Sequence, residues 1–266
     1  MSGINPDLQK GRRYQIREIL AAKLPPALSK VGMQITPLGD NALVLEVGTV
    51  IDESTHRRVQ AAWRALAAAP LPAVSELVPA YTTVTLFYDP WAAVQAGAPA
   101  QGIADWLGAQ VRERLKNPPK MEKAKPRVVE IPVCYSGAFG PDLARVAAQA
   151  KLSPEEVIKR HAKADYLVYL IGFAPGFPYL GGLPKELNTP RHAKPRMTVP
   201  PGSVGIGGEQ TGIYPLATPG GWNLIGRTPL RIFRPEQTPP VLLAAGDHVK
   251  FRAISAEEFA QQESRP

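Results

Sequence analysis

Residues 33–48, MQITPLGDNALVLEVG, hold two short runs of alternating apolar and polar positions on either side of Gly39-Asp40-Asn41, a turn signal whose residues tolerate positive φ. That pattern predicts a β-hairpin. In the following STHRRVQAAWRALAAA, Val59, Trp63 and Leu66 recur at helical spacing, and Asp52 or Ser54 stands where a side chain would cap the first turn. VSELVPAYTTVTLFYD returns to alternation, with Val84, Leu86 and Tyr88 against Thr83, Thr85 and Phe87, and GIADWLGAQVRERL reads as a second helix. Strands, helix, strands, helix predicts an α+β domain over residues 32–115, with a helical layer on one face of an antiparallel sheet.

Ahead of it, Leu24-Pro25-Pro26 ends a short helix expected over Tyr14 to Lys23, so residues 1–31 read as a separate basic extension. Behind it, KNPPKMEKAKPR, residues 116–127, combines three prolines with a lysine run and has nothing to bury, and it reads as a linker. RVVEIPVCY then predicts a strand, and PDLARVAAQAKL a helix beginning after Gly140. In SPEEVIKRHAKADY, Ser153 precedes Glu156 by three residues, a capping-box spacing that puts Pro154 at the first helical position. From Tyr166 the apolar runs become short and closely spaced between turn residues: YLVYLIGF, TVPPGSVGIGG, GIYPLATP, WNLIG, PLRIF and VLLAAGDHVKFRAI. This predicts a mainly β barrel or sandwich over residues 128–255, followed by a tail, 256–266.

The 266 residues are 44% hydrophobic and 20% charged, a globular composition. The net charge of +8 is unevenly placed: +4 in residues 1–31, −4 in 32–111, +5 in 112–127 and +3 beyond. Basicity concentrated in a tail and a linker gives no stripe for nucleic acid, so no nucleic-acid partner is expected. No apolar run approaches the ~20 residues needed to span a bilayer and the N-terminus has no hydrophobic signal core, so no membrane partner is expected and the protein reads as cytoplasmic. The one cysteine, Cys134, precludes an internal disulfide; in the strand-like IPVCY it reads as a buried inert thiol.

Candidate chemistry concentrates between Gly172 and Gly226, where 12 of 55 residues are glycine and 9 are proline. Such a segment, with aromatic rings interleaved, specifies shaped loops. GIGGEQTG lacks the Gly-Lys-Ser/Thr ending of a phosphate loop, and Gln210 stands where a dinucleotide fingerprint needs glycine. PGSVG has Pro201 two residues before Ser203 where a nucleophile elbow needs glycine. The four histidines show no metal-ligand spacing, and His161, among Lys159, Arg160 and Lys163, reads as a surface residue. What remains is a set of anion binders on restricted backbone: Arg191, Arg196 and Arg227. They either grip a carboxylate or phosphate, or brace the loops against Glu186, Glu209 or Asp247. Phe173, Phe177 and Trp222 either line a pocket or plug a small barrel. Gln210, Thr211 and Tyr214 offer uncharged partners for an amide or a developing oxyanion.

GFAPGFPYLGGL, TPRHAKPRMTVPPGSVGIGGEQTGIYP and TPGGWNLIGRTPL resemble the motif blocks of the allophanate hydrolase subunit 1 family, which includes the B subunit of 5-oxoprolinase and the histidine-kinase inhibitor KipI. The resemblance covers roughly residues 32–254, and departs at His192, where the family usually has arginine. It implies a cyclophilin-like barrel behind the α+β domain. It also implies a subunit, inactive by itself, of an ATP-dependent enzyme that opens the 5-oxoproline lactam to glutamate with partner subunits C and A. In that reading Gln210, Thr211 and Arg196 act on the lactam, while Arg191, Arg227, Phe173, Gly176, Phe177, Tyr179, Tyr214, Gly221 and Trp222 bind and enclose the substrate. ATP is used by the complex, and no metal is implied. Two alternatives stand behind it: carboxyl transfer to urea or a related amide, and non-catalytic inhibition of a histidine kinase. Leu180, Leu183 and Leu187 are candidates for a partner interface, or else core.

Overall fold

The computed structural model describes residues 33–116 and 127–263. The N-terminal extension with its expected helix, and nearly all of the linker, lie outside them. The chain divides into two compact units, Met1–Lys125 and Pro126–Pro266.

In the first unit, β1 (Gln34–Pro37) and β2 (Ala42–Glu46) form the predicted hairpin, with Gly39 at φ 62°. Helix α1 (Glu53–Ala68) follows, capped by Asp52, whose Oδ1 accepts from Thr55 N at 2.7 Å. β3 (Val74–Pro79) and β4 (Thr83–Tyr88) complete an antiparallel sheet of order β1-β2-β4-β3. On β4, Val84, Leu86 and Tyr88 are buried while their neighbours are half-exposed, as the alternation requires. The short α2 (Pro90–Gln95), started by Asp89 bonding Trp91 N and Ala92 N, was not legible in the apolar spacing. α3 (Ile103–Lys116) joins α1 over the sheet, and Leu43, Leu45, Val59, Leu66, Leu86, Leu107 and Val111 make their common core.

The second unit is a closed barrel. It runs β5 (Val128–Cys134), α4 (Leu143–Ala150), α5 (Pro154–Lys163), β6 (Tyr166–Ile171), β7 (Pro178–Gly181), β8 (Arg196–Val199), β9 (Ser203–Gly207), β10 (Gln210–Ile213), β11 (Thr218–Gly220), β12 (Asn223–Arg227), β13 (His248–Ile254) and α6 (Ala256–Glu263). The barrel order is β10-β7-β6-β13-β5-β12-β9, closed by the β9–β10 hairpin, and only β5 and β13 are parallel. Closure leaves no open edge. β8 and β11 stand apart as a two-stranded ribbon. Ser153 caps α5 through Glu156 N, with Pro154 first in the helix.

Three expectations are corrected here. His161 is fully buried: the charged residues beside it point away, while its own ring stacks on Phe251 at 4.6 Å. Leu180, Leu183 and Leu187 belong to the barrel core, so they are not an exposed interface. Within the expected tail, residues 256–263 form α6, which buries Phe259 against Phe139, Cys134 and Ile254. Cys134 is itself buried. No helix among the described residues is long and apolar enough to cross a membrane.

Candidate functional site

Val204, Ile206 and Ile213 fill the barrel, so by strand alternation Gly205, Gly207 and Gly212 between them lie on the opposite face. Aromatic rings occupy the space their missing side chains leave. A Cβ on Gly207 would stand 2.6 Å from the Trp222 ring, and one on Gly212 would stand 2.9 Å from Phe177 Cζ. Phe177 is the hub: its ring meets Tyr179 at 4.9 Å, Tyr214 at 5.2 Å, Phe173 at 5.5 Å and Trp222 at 5.5 Å. Val199 of the β8–β11 ribbon and Leu224 of β12 close this cluster. Burial raises the pKa of both the Tyr179 and Tyr214 phenols, so they remain protonated donors at neutral pH.

Arg191 carries the charge of the site. Its Cζ lies 5.6 Å from the centre of the Trp222 ring, its side chain is exposed, and no carboxylate pairs with it among the described residues. The geometry is a cation on an aromatic face with its outer N–H groups open to an anion. Arg196 is instead a brace: Nη2 donates to Asp142 Oδ1 at 2.7 Å. Its partner is Asp142 and none of the three acids expected, since Glu186 pairs with Arg160 and Asp247 with Arg127. Arg227, at the far end of β12, donates to Pro201 O at 2.9 Å and lies over Phe259 at 5.8 Å, away from this cluster.

The remaining sequence candidates divide in the same way. Gln210 sits opposite Gly207 in the β9–β10 hairpin, next to the position that Trp222 covers. Thr211 has no exposed surface: its hydroxyl donates to Gly205 O at 3.0 Å and therefore accepts from His161 Nε2 at 3.1 Å, so it is removed from the reacting set. Gly176, at φ 84°, packs against Phe233, and Gly221 accepts from His192 N at 2.7 Å, so both shape the wall through backbone. Phe173 is 65% exposed at φ 67°, the centre of a three-residue turn closed by Ala174 N to Gly172 O at 2.8 Å. A bulky residue there holds about 1–3 kcal/mol of strain, a cost that clusters at ligand clamps.

The structure also gathers residues that sequence reasoning missed. Asp142, at the start of α4, holds Arg196 and stands 3.3 Å from His192 Nε2. Arg145 donates to His192 Nδ1 at 2.5 Å, and the Asn223 amide donates to Pro190 O at 3.1 Å and Ile206 O at 3.0 Å. The glycine-rich hairpin is no cradle for nucleotide phosphates, because its strand pairing uses the backbone and Trp222 covers Gly205 and Gly207. No group of three or more His, Cys, Asp or Glu side chains suited to a metal ion occurs among the described residues.

Residues 33–243 match the family described as carboxyltransferase domain, subdomain C and D. The chain belongs to this family. Within it, the chain is 48% identical over 232 residues to the 5-oxoprolinase B subunit of Bacillus subtilis (strain 168), spanning 86% of this chain and 96% of that protein. It is 43% identical to the 5-oxoprolinase B subunit of Escherichia coli O157:H7, over 80% of this chain and 93% of that one. Among solved structures, TTHA0988 has a TM-score of 0.67 at 38% identity over 81% of this chain, which spans only 40% of that longer protein. The urea amidolyase of K. lactis shares the fold with a TM-score of 0.68 at 18% identity, over 86% of this chain and 15% of that one.

Proposed function

We propose that this chain is one subunit of a cytoplasmic, ATP-dependent 5-oxoprolinase that opens the 5-oxoproline lactam to L-glutamate together with subunits A and C. The observation that carries this reading is the 48% identity to a 5-oxoprolinase B subunit along nearly the whole of that protein. The site suits such a ligand. 5-Oxoproline is a small flat ring bearing one carboxylate, and Arg191 offers a guanidinium for the carboxylate beside the flat faces of Trp222 and Tyr179. Gln210 and the Tyr179 phenol are uncharged partners for the lactam amide, able to hold it without competing for Arg191. Phe173, exposed on its turn with its ring edge-on to Phe177 at 5.5 Å, stands at the rim of the cluster, where it would border a seated ring.

Lactam opening adds water across the amide C–N bond: the carbonyl carbon gains oxygen, and the departing nitrogen gains a proton and becomes the glutamate amine. An amide resists this, which is the reason for coupling to ATP. The glycine-rich hairpin is filled by Trp222 and the sequence carries no complete nucleotide motif, so we assign ATP to the partner subunits and give this chain the share of binding, orienting and desolvating the lactam. The test is glutamate formation from 5-oxoproline by the three subunits together and with each omitted in turn; glutamate only from the full set supports the reading, and none from the full set refutes it. The family's carboxyltransferase description favours carboxyl transfer to a urea-like amide as the second reading.

A further inference from the structure

Asp142 stands at the N-cap of α4 but makes no side-chain bond to its own helix. Its carboxylate turns to the candidate site. Oδ2 accepts from Leu224 N at 2.7 Å, Oδ1 accepts from Arg196 Nη2 at 2.7 Å, and the Asp142 N–H returns a bond to Leu224 O at 2.9 Å. Because Arg145 donates to His192 Nδ1, that nitrogen is the acceptor and the Nε2–H is the one that faces Asp142 Oδ1, 3.3 Å away. His192 N in turn donates to Gly221 O at 2.7 Å, and Asn223 Nδ2 to Pro190 O at 3.1 Å.

Two segments are thereby tied together, residues 190–196 and 221–224. Arg191 lies in the first, between the tethered Pro190 and His192. Trp222 lies in the second, between the tethered Gly221 and Asn223. Asp142 holds the first segment through Arg196 and His192 and the second through Leu224, with a side chain only 9% exposed, where a charged hydrogen bond is little weakened by water.

We propose that Asp142 is a positioning residue: its carboxylate sets the stacking of Arg191 on Trp222 by clamping both segments that carry the pair, and so controls this chain's affinity for a small carboxylate. The clamp itself does not depend on which carboxylate binds; naming 5-oxoproline as the ligand rests on the proposed function.

The test separates the two. In full-length 15N-labelled protein, the indole Nε1–H resonance of Trp222, assigned by its loss in Trp222→Phe, reports the cation above the ring. Arg191→Ala should move it, Asp142→Asn should move it in the same direction, and the double variant should match Arg191→Ala alone. A residue that merely stabilises the fold would lower the melting temperature and give additive shifts. Calorimetry with 5-oxoproline, on this chain assembled with its partner subunits, should show binding weakened on the order of tenfold by Asp142→Asn and no further loss when Asp142→Asn is added to Arg191→Ala. An unmoved Trp222 resonance in Asp142→Asn, or additive effects in the double variant, overturns the proposal. Should Asp142→Asn not fold, Asp142→Glu, which keeps the charge but displaces the carboxylate from Leu224 N and Arg196, decides it: a moved resonance supports the clamp, an unmoved one overturns it. Coupled resonances with no 5-oxoproline binding by wild type leave the clamp standing and remove 5-oxoproline as its ligand.

Discussion

His161 makes the barrel sensitive to acid in a way that can be worked from its surroundings. The ring is fully buried, stacked on Phe251, with Nε2–H donating to Thr211 Oγ1 at 3.1 Å and Nδ1 accepting from the Tyr135 hydroxyl at 2.8 Å. Both bonds suit the neutral ring, and desolvation lowers its pKa from 6.5 to about 3. Below pH 6.5 the unfolded chain therefore binds a proton that the native barrel refuses. The stability is complete above 6.5 and is lost as pH falls, by about 1.4 kcal/mol per pH unit and about 5 kcal/mol in all by pH 3. His161→Gln removes the titration but leaves Tyr135 or Thr211 short of a partner, costing about 1–3 kcal/mol at pH 7. The wild-type advantage should then shrink with acid and reverse near roughly pH 5. Urea unfolding at pH 7.5 to 4, followed at Trp222, the only one of the four tryptophans in the barrel unit, measures it. Wild-type and variant curves that fall in parallel over that range would refute the reasoning.

Gly207→Ala should cost about 1–3 kcal/mol in thermal unfolding and weaken 5-oxoproline binding, because the new methyl would overlap the Trp222 ring; an unchanged melting temperature contradicts that packing. In the reconstituted complex, Arg191→Ala should raise the KM for 5-oxoproline on the order of tenfold or more, while Arg227→Ala lowers the melting temperature and leaves KM within about twofold. Equal effects of the two on KM would mean that the cluster around Trp222 is not where the carboxylate binds. Cys134, fully buried, should react with a thiol reagent only after denaturation, and fast reaction of the native chain contradicts its position under α6.

What the sequence made legible was local. Asp52 and Ser153 cap their helices through residues three positions away, and the alternation on β4 records one buried face, so each element could be read from its own few residues. His161 was misread because its neighbours on α5 are charged, although its own side is the one turned to the barrel. The glycines of the GIGGEQTG segment read as turn residues, yet Gly205, Gly207 and Gly212 serve to seat Trp222 and Phe177, rings 15 and 35 residues from Gly207 and Gly212 in the chain. Asp142 left no signal at all: an acid after Gly-Pro ahead of a helix looks like an ordinary cap, and its partners Arg196 and Leu224 are 54 and 82 residues away. Arg191, Arg196 and Arg227 were equivalent as sequence, and only the position of Asp142 and α6 separates the open guanidinium from the two braces.

Phosphate release from ATP by this chain combined with subunits A and C, with and without 5-oxoproline, bears most directly on the assignment. The account predicts release that requires all three subunits and rises on addition of 5-oxoproline, with glutamate formed in step. Release indifferent to 5-oxoproline in every combination would contradict it.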